Sequence, residues 1–547
     1  MPVPTGPTAR LRVASIGRAT TLLASGTLVS RLLGFGRQWL LLQAIGGTGL
    51  ITDAFQTANS APNTIYAIIS QGVLNAVLIP QLVRAAKHRD GGQAYINKLI
   101  TLGMVVFGVL TAIATALSPQ LMTLFGVRPG VMDLAVAFAL WSMPQVFFYG
   151  LYSLLGEVLN ARNSFGPFTW APVLNNIISI ISLVLFLVMF GVQPVHTVGD
   201  WPAMKIFILA GGSTLGIVAQ ALVLFAFWRR IGLRFRFDFG WRGMELRTVG
   251  KAAGWTFAML VCTQLAGVFQ TFVANTASGP HRAGPQGIAT TWLIFMLPFS
   301  IIAVSVVTAY FTRMSEHARD EDFESFRTDY SSAVRQIVLL ISICAAVLIV
   351  TSFSFSRVFT TDYQPFGVVL IGFVIGLVPS VIGFVTLRAL YSLGDTRSPF
   401  VYTLIQSAIV VLGLLVCLHL EPDFRAPGIA VTVSFAGTVQ TALSIVFLRR
   451  RLHGLHLGSV FRSIVQSFLG SLVATVLGVI ALYFVNQIGG HGGFSTATAI
   501  SAVVSMVIVG AVMLAAYVLV LRGLRTPELM DAWAGLRRRL ARSQRAE

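Results

Sequence analysis

The sequence predicts an all-α polytopic membrane protein of about fourteen transmembrane helices, and three observations carry that prediction. Only 11% of the 547 residues are charged and 55% are hydrophobic, with a mean hydropathy of +0.79. A soluble domain is about a quarter charged. Apolar runs of about 20 residues, the length that crosses a bilayer, recur from end to end. They are roughly twice as long as a barrel strand and apolar all round. Hydrocarbon offers the backbone no partners, so such runs span as helices. The third observation is the one-sided placement of Lys and Arg, described below.

The elements follow in order. Residues 1–18 are a polar, basic lead with Arg10, Arg12 and Arg18, without the layout of a cleavable signal peptide. Six spans make an N-lobe over 19–228, at 19–45, 59–84, 99–118, 131–157, 168–190 and 204–228. "FGVRPG" separates the third from the fourth and "NSFGP" the fourth from the fifth, both rich in chain-turning residues. The linker 229–250, "RRIGLRFRFDFGWRGMELRTVG", alternates basic and aromatic residues and suits a segment lying on lipid headgroups. Six more spans make a C-lobe over 251–448, at 251–277, 286–312, 331–354, 364–392, 399–420 and 427–448. "ASGPHRAGP" and "LGDTRSP" mark turns within it. A helix pair, 463–486 and 496–521, occupies 449–521, and a basic tail closes the chain over 522–547.

Fourteen spans put both termini on one side. With that side cytoplasmic, about 32 of the 39 Lys and Arg fall in cytoplasmic segments or span ends, as the positive-inside rule requires. Arg128, Lys205, Arg282, Arg357 and Arg425 fall outside, and Arg31 and Arg37 lie within a span. The net charge of +19 is therefore an orientation signal reinforced by anionic lipid, and nucleic acid is not expected as a partner. The expected location is a membrane, crossed many times, with both termini cytoplasmic. Cys262, Cys344 and Cys417 are far apart in apolar runs and read as small hydrophobic residues, with no metal site or disulfide implied.

An internal repeat runs at an offset of about 232 residues. "NSFGPF" (163–168) falls on "DTRSPF" (395–400), with Pro167 on Pro399 and Phe168 on Phe400. An even number of helices in each half gives the halves parallel topology, and two such lobes around a midplane cavity is transporter architecture.

The polar residues inside the spans locate the candidate site. Arg31 and Arg37 share the first span, where an arginine at mid-bilayer costs about 2.5–3.5 kcal/mol. Six residues apart, they point about 120° from each other and stand about 9 Å apart along the axis, so both can face one wide cavity. Gly34 and Gly36 lie between them as a candidate hinge. One reading has each arginine paired on a neighbouring helix or snorkelling to the interface, which suits Arg37 better than the more central Arg31. The other is an anion site in a water-filled cavity, because a guanidinium donates two parallel hydrogen bonds to phosphate and keeps its charge. Asp53 either caps the second helix or gates a cavity arginine. Ser30, Asn63, Gln71, Asn160 and Asn176 are secondary cavity or gate candidates, each of which can equally serve as an interhelical hydrogen bond. The chain contains no Walker A, H-E-x-x-H or G-x-S-x-G motif. An enzyme is not expected, nor a cofactor. Transport would draw on membrane potential or an ion gradient. The seventh span has no Asp or Glu between Lys251 and Asn275, so no cation site is expected there.

"SRLLGFGR" (30–37), "TDAF" (52–55), "PN" (62–63), "QG" (71–72), "IP" (79–80), "LNARNSF" (159–165) and "APVLNN" (171–176) resemble the MurJ/MviN proteins of the MOP superfamily of flippases and exporters. The resemblance implies a flippase for lipid II, an undecaprenyl-pyrophosphate carrying a disaccharide-pentapeptide, moved from inner to outer leaflet for peptidoglycan synthesis. It also implies that Arg31 and Arg37 bind the pyrophosphate and that Asp53 helps to gate the cavity. Membrane lipids and the proteins of cell-wall synthesis and division are the partners it implies. Two departures stand out. Where many relatives carry two arginines after "PN", this chain has Tyr66 and Ala67, with Gln71 in place of a glutamate. In the eighth span, "TTWLIFMLP" puts Leu293 or Ile294 near another expected arginine. The alternatives are a flippase for a different lipid-linked glycan, an exporter of the same superfamily, or a membrane scaffold of the cell-wall machinery that does not transport.

Overall fold

The computed structural model describes residues 7–70, 92–162, 164–192, 197–228, 230, 232, 233, 235–240, 250–488 and 493–530. The first half contains α1 (Pro7–Ile45), α2 (Leu50–Ser70), α3 (Gln93–Ala116), α4 (Pro129–Ala161), α5 (Phe165–Phe190) and α6 (Ala203–Trp228). The second contains α7 (Gly250–Ala277), α8 (Pro285–Arg319), α9 (Phe323–Val350), α10 (Tyr363–Val374 with Leu377–Ser392), α11 (Arg397–Leu418) and α12 (Pro422–Arg451). Two more helices follow, α13 (Leu457–Ile488) and α14 (Ala499–Gly523). No strand occurs among the described residues.

Eleven of these helices are long and apolar enough to cross a membrane, and the two pieces of α10, bent by 43°, make a twelfth. The two others, α1 and α2, hold Arg31, Arg37 and Asp53. Their polarity is what lowers their hydropathy. Together these helices match the fourteen expected spans. Gln71, expected in the second span, lies outside the described residues.

The repeat extends to the ends of the helices. At the offset of 232, Ile45 at the end of α1 falls on Ala277 at the end of α7. The start of α5 at Phe165 falls on the start of α11 at Arg397. The interruption of α4 at Met143–Pro144 falls on the interruption of α10 at Ile375–Gly376. Helix packing repeats as well: α4 lies on α3 and α6, as α10 lies on α9 and α12, and α5 lies along α6 as α11 lies along α12.

Each interruption has a local cause. Pro144 has no N–H to continue the ladder of α4. In α8, Pro298 precedes a π-helical turn, Phe299–Ala303, that widens the helix around the missing donor. In α10 the helix breaks at Gly376, where a Cβ would lie 2.8 Å from Cα of Ser434. The Ser434 hydroxyl donates to the carbonyls of Gly372 (2.7 Å) and Phe373 (3.1 Å), carbonyls next to the break.

By its contacts the chain forms two compact units, Met1–Asn275 and Thr276–Glu547. The division falls at the end of α7 instead of in the linker 229–250. The side chain of Asn275 explains this, since it donates to Thr57 Oγ1 (3.0 Å) and to the Phe125 carbonyl (2.9 Å) of the first unit. Thr57 and Asn275 are both buried. In the second unit, the Thr276 carbonyl accepts from Arg425 Nη1 at 3.0 Å. The first unit has two apolar clusters. One gathers Phe55, Phe138, Phe186 and Trp201, the other Leu99, Phe107, Leu154 and Trp228.

Candidate anion site in the first unit

α1 is unbroken from Pro7 to Ile45 and passes straight through Gly34 and Gly36. Arg31 and Arg37 are both half-buried. Neither guanidinium has a hydrogen bond or an ion pair within the described structure, so the pairing of each arginine on a neighbouring helix does not occur there. The hydroxyl of Tyr149 on α4 lies within electrostatic reach of Arg37. The ring of Tyr149 is 5.6 Å from that of Tyr66 on α2, and Tyr66 is 6.2 Å from Phe107 on α3. One turn along α4, Tyr152 stacks on Phe168 at 4.8 Å and donates its hydroxyl to the Phe168 carbonyl at 2.9 Å. The surroundings of Arg37 are thus tyrosine-rich. They supply hydroxyl donors and ring faces, and no carboxylate among the described residues.

Asn176 and Ser30 form one contact. Asn176 Nδ2 donates to the Ser30 carbonyl at 2.8 Å and lies 3.2 Å from the Ser30 hydroxyl, which ties α5 to α1 at the residue before Arg31. A Cβ at Gly34 would lie 4.0 Å from that amide, an ordinary contact. Asn176→Leu is expected to destabilise the protein by about 1 kcal/mol, the scale of an interhelical hydrogen bond in membranes. Thermal unfolding of the purified variant in detergent reads this. An unchanged midpoint would mean that the contact does not hold α1 in place.

Asp53 stands apart from the arginines. It is the fourth residue of α2, 1% exposed, with its N–H on the Gly49 carbonyl at 3.1 Å. The preceding Thr52 hydroxyl donates to the Ile45 carbonyl at 2.7 Å, so Asp53 lies by the end of α1, eight residues and about 12 Å beyond Arg37. It does not occupy the cap position. Its charge is favourable in the first turn of α2 through the helix dipole. The carbonyl of Asp53 accepts from the Thr57 hydroxyl (2.8 Å), the group that also meets Asn275. Asn63 is exposed after Pro62, and Asn160 is half-buried in the last turn of α4.

Two groups escaped the sequence reading. Tyr149 is one, and it had no signal beyond its spacing from Tyr152. The other is Gln145, fully buried at the break in α4, whose amide donates to Asn59 of α2 (3.2 Å) and Thr214 of α6 (2.9 Å). Thr214 in turn donates to the Trp141 carbonyl at 2.8 Å. The adjacent Pro144 was the available hint, because a broken helix needs polar side chains for its freed backbone groups.

A family model described as "Lipid II flippase MurJ" matches residues 42–503, most of the chain. The chain belongs to the MurJ family. Among MurJ relatives, a probable lipid II flippase of Rickettsia prowazekii is 23% identical over 457 residues, covering 80% of this chain and 85% of the relative. One from Rhizobium tropici is 26% identical, covering 79% and 80%. A solved MurJ in an inward closed conformation aligns with a TM-score of 0.70 at 20% identity, over 92% of this chain and 99% of that one. An inward-facing MATE transporter of the MOP superfamily aligns with a TM-score of 0.63 at 16% identity, over 77% and 94%. These likenesses establish the fold of a MurJ-type multi-pass membrane protein, and the family is one of transporters, not enzymes. The MurJ match begins five residues after Arg37, so both arginines precede it while Asp53 lies inside.

Proposed function

We propose that this chain flips lipid II, the lipid for which its relatives are named as probable flippases, and that it does so from the inner to the outer leaflet of the bacterial plasma membrane. Arg31 and Arg37 bind the pyrophosphate, and the lobes expose the site to each side in turn. Both termini are cytoplasmic, and the membrane potential or an ion gradient drives the cycle. The observation that carries this reading is the pair of guanidiniums in α1 without a hydrogen bond or ion pair among the described residues. Such charges are costly at depth unless they face water and meet an anion. A pyrophosphate supplies two or more negative charges and accepts the bidentate fork of each guanidinium. The hydroxyls of Tyr149 and Tyr66 add neutral donors where many relatives carry arginine. Asp53, buried beyond the end of α1, serves the gate.

The test is the leaflet distribution of lipid-linked peptidoglycan precursor in cells depleted of this protein and of any redundant flippase. Precursor should accumulate in the inner leaflet and be released when the wild-type chain is restored. An unchanged distribution rejects lipid II as the substrate.

A further inference from the structure

The described part of the linker 229–250 builds a cavity at the end of α6. Gly232 adopts a left-handed φ of 77°, and the N–H of Leu233 donates to the Trp228 carbonyl at 3.1 Å. This Schellman-type closure ends α6 and turns the chain back on itself. Phe235 then meets Phe225 at 5.9 Å and Trp228 at 6.3 Å. Further on, the N–H of Asp238 donates to the buried Thr101 hydroxyl of α3 at 3.1 Å, which fixes the returning segment.

Between the helix end and this segment lies a cavity of about 1120 Å³, walled by Phe225, Trp228, Leu233 and Phe235, with Arg236 on its lining. Arg236 is exposed. Trp228 is 2% exposed, and its indole N–H has no hydrogen-bond partner. Next to the cavity, Phe237 and Phe239 stack within 10° of parallel while remaining 63% and 64% exposed.

Each feature fits one kind of ligand. Ligand pockets commonly hold about 300–1,000 Å³, so the space is ample for a large amphiphile. Aromatic walls receive an acyl chain. Arg236 supplies one positive charge, which matches the single charge of a phosphodiester. Exposed stacked aromatics are characteristic of the headgroup layer of a membrane. The cavity opens on the side that the Lys and Arg pattern assigns to the cytoplasm, where anionic lipids collect.

We infer that this cavity is a binding site for one anionic glycerophospholipid of that leaflet, with its phosphate on Arg236 and an acyl chain against Phe225, Trp228 and Phe235. The inference does not depend on lipid II being the transported molecule.

The experiment is native mass spectrometry of the full-length protein titrated with phosphatidylglycerol or with phosphatidylcholine of the same acyl chains. Arg236→Gln is expected to bind the tightest phosphatidylglycerol about tenfold more weakly than wild type, the scale of one lost charge-assisted hydrogen bond. Trp228→Phe, which removes the indole N–H and part of the aromatic wall, is expected to weaken it by a smaller factor. Phosphatidylcholine retention should be the same in all three. Arg236 is exposed, so its Gln variant is decisive even if the Trp228 variant folds poorly. Equal phosphatidylglycerol binding by wild type and Arg236→Gln overturns the proposal. Displacement of phosphatidylglycerol by an equimolar amount of undecaprenyl phosphate overturns it too, and would return the cavity to the polyprenyl-lipid route.

Discussion

Arg37→Ala is expected to give a folded, membrane-inserted protein that no longer moves lipid-linked precursor. The expected loss is large, because each hydrogen bond from a charged donor to the substrate phosphate contributes about 1.5–3 kcal/mol. Losing one such bond lowers transport about 10- to 100-fold, and losing the bidentate pair lowers it further. Stability should move the other way. Among the described residues Arg37 has no hydrogen bond or ion pair to lose, and its removal relieves part of the roughly 2.5–3.5 kcal/mol that a central arginine costs a membrane helix. Arg31→Ala should behave alike, with a smaller stability gain if its guanidinium reaches water. Arg37→Lys should be intermediate, since an ammonium keeps the charge but lacks the planar fork. The measurement is precursor leaflet distribution beside the unfolding midpoint of each purified variant. Full transport by both Ala variants at normal protein levels would remove the arginines from the mechanism. Lost transport with a lowered midpoint would make them structural.

Gly376→Val should be among the most damaging single changes in the second unit. A Cβ at 376 would lie 2.7 Å from Cβ and Oγ of Ser434 and 2.8 Å from its Cα. Ser434 cannot swing aside without losing its hydrogen bonds to the Gly372 and Phe373 carbonyls. The helices α10 and α12 must separate, at an overpacking cost of about 1–3 kcal/mol and with freed carbonyls in addition. Gly437→Ala is the matched control on α12. Its Cβ would find only Ser380 Oγ at 3.7 Å, ordinary contact, and alanine is the better helix former. The unfolding midpoint should fall by several degrees for Gly376→Val and stay level or rise for Gly437→Ala. Equal midpoints would show that α10 can relax around the break.

The helices were legible because lipid leaves the chain few choices. Most expected spans coincide with a helix to within a few residues. The largest errors lie at polar helix ends. α2 begins at Leu50, nine residues before the expected 59, because "TDAFQTANS" reads as a loop by hydropathy. Its Thr57 is fully buried and Asn59 meets the buried amide of Gln145, so the polar groups find partners inside the protein. α9 likewise starts at Phe323, not 331, where Asp322 accepts the N–H of Ser325 as its cap. Arg31 and Arg37 stood out because charge is rare in such segments. Tyr149, Gln145 and Asn275 did not, because a tyrosine or an amide in a span is unremarkable until its neighbours are known. The boundary between units was hidden for the same reason. It follows the hydrogen bonds of one asparagine, while the sequence advertises a basic loop.

The matching ends of α1 and α7 bear on ancestry. If the halves descend from one duplicated segment, every position began in two copies, each free to change alone. At the offset of 232, the partners of Arg31 and Arg37 are Thr263 and Phe269. The seventh helix therefore shares the end point of its twin, over 28 residues against 39, and lacks the cations. The two copies have specialised, one as the carrier of charge and the other as an apolar member of the same pattern. Any common ancestor with identical halves had either both sets of arginines or neither.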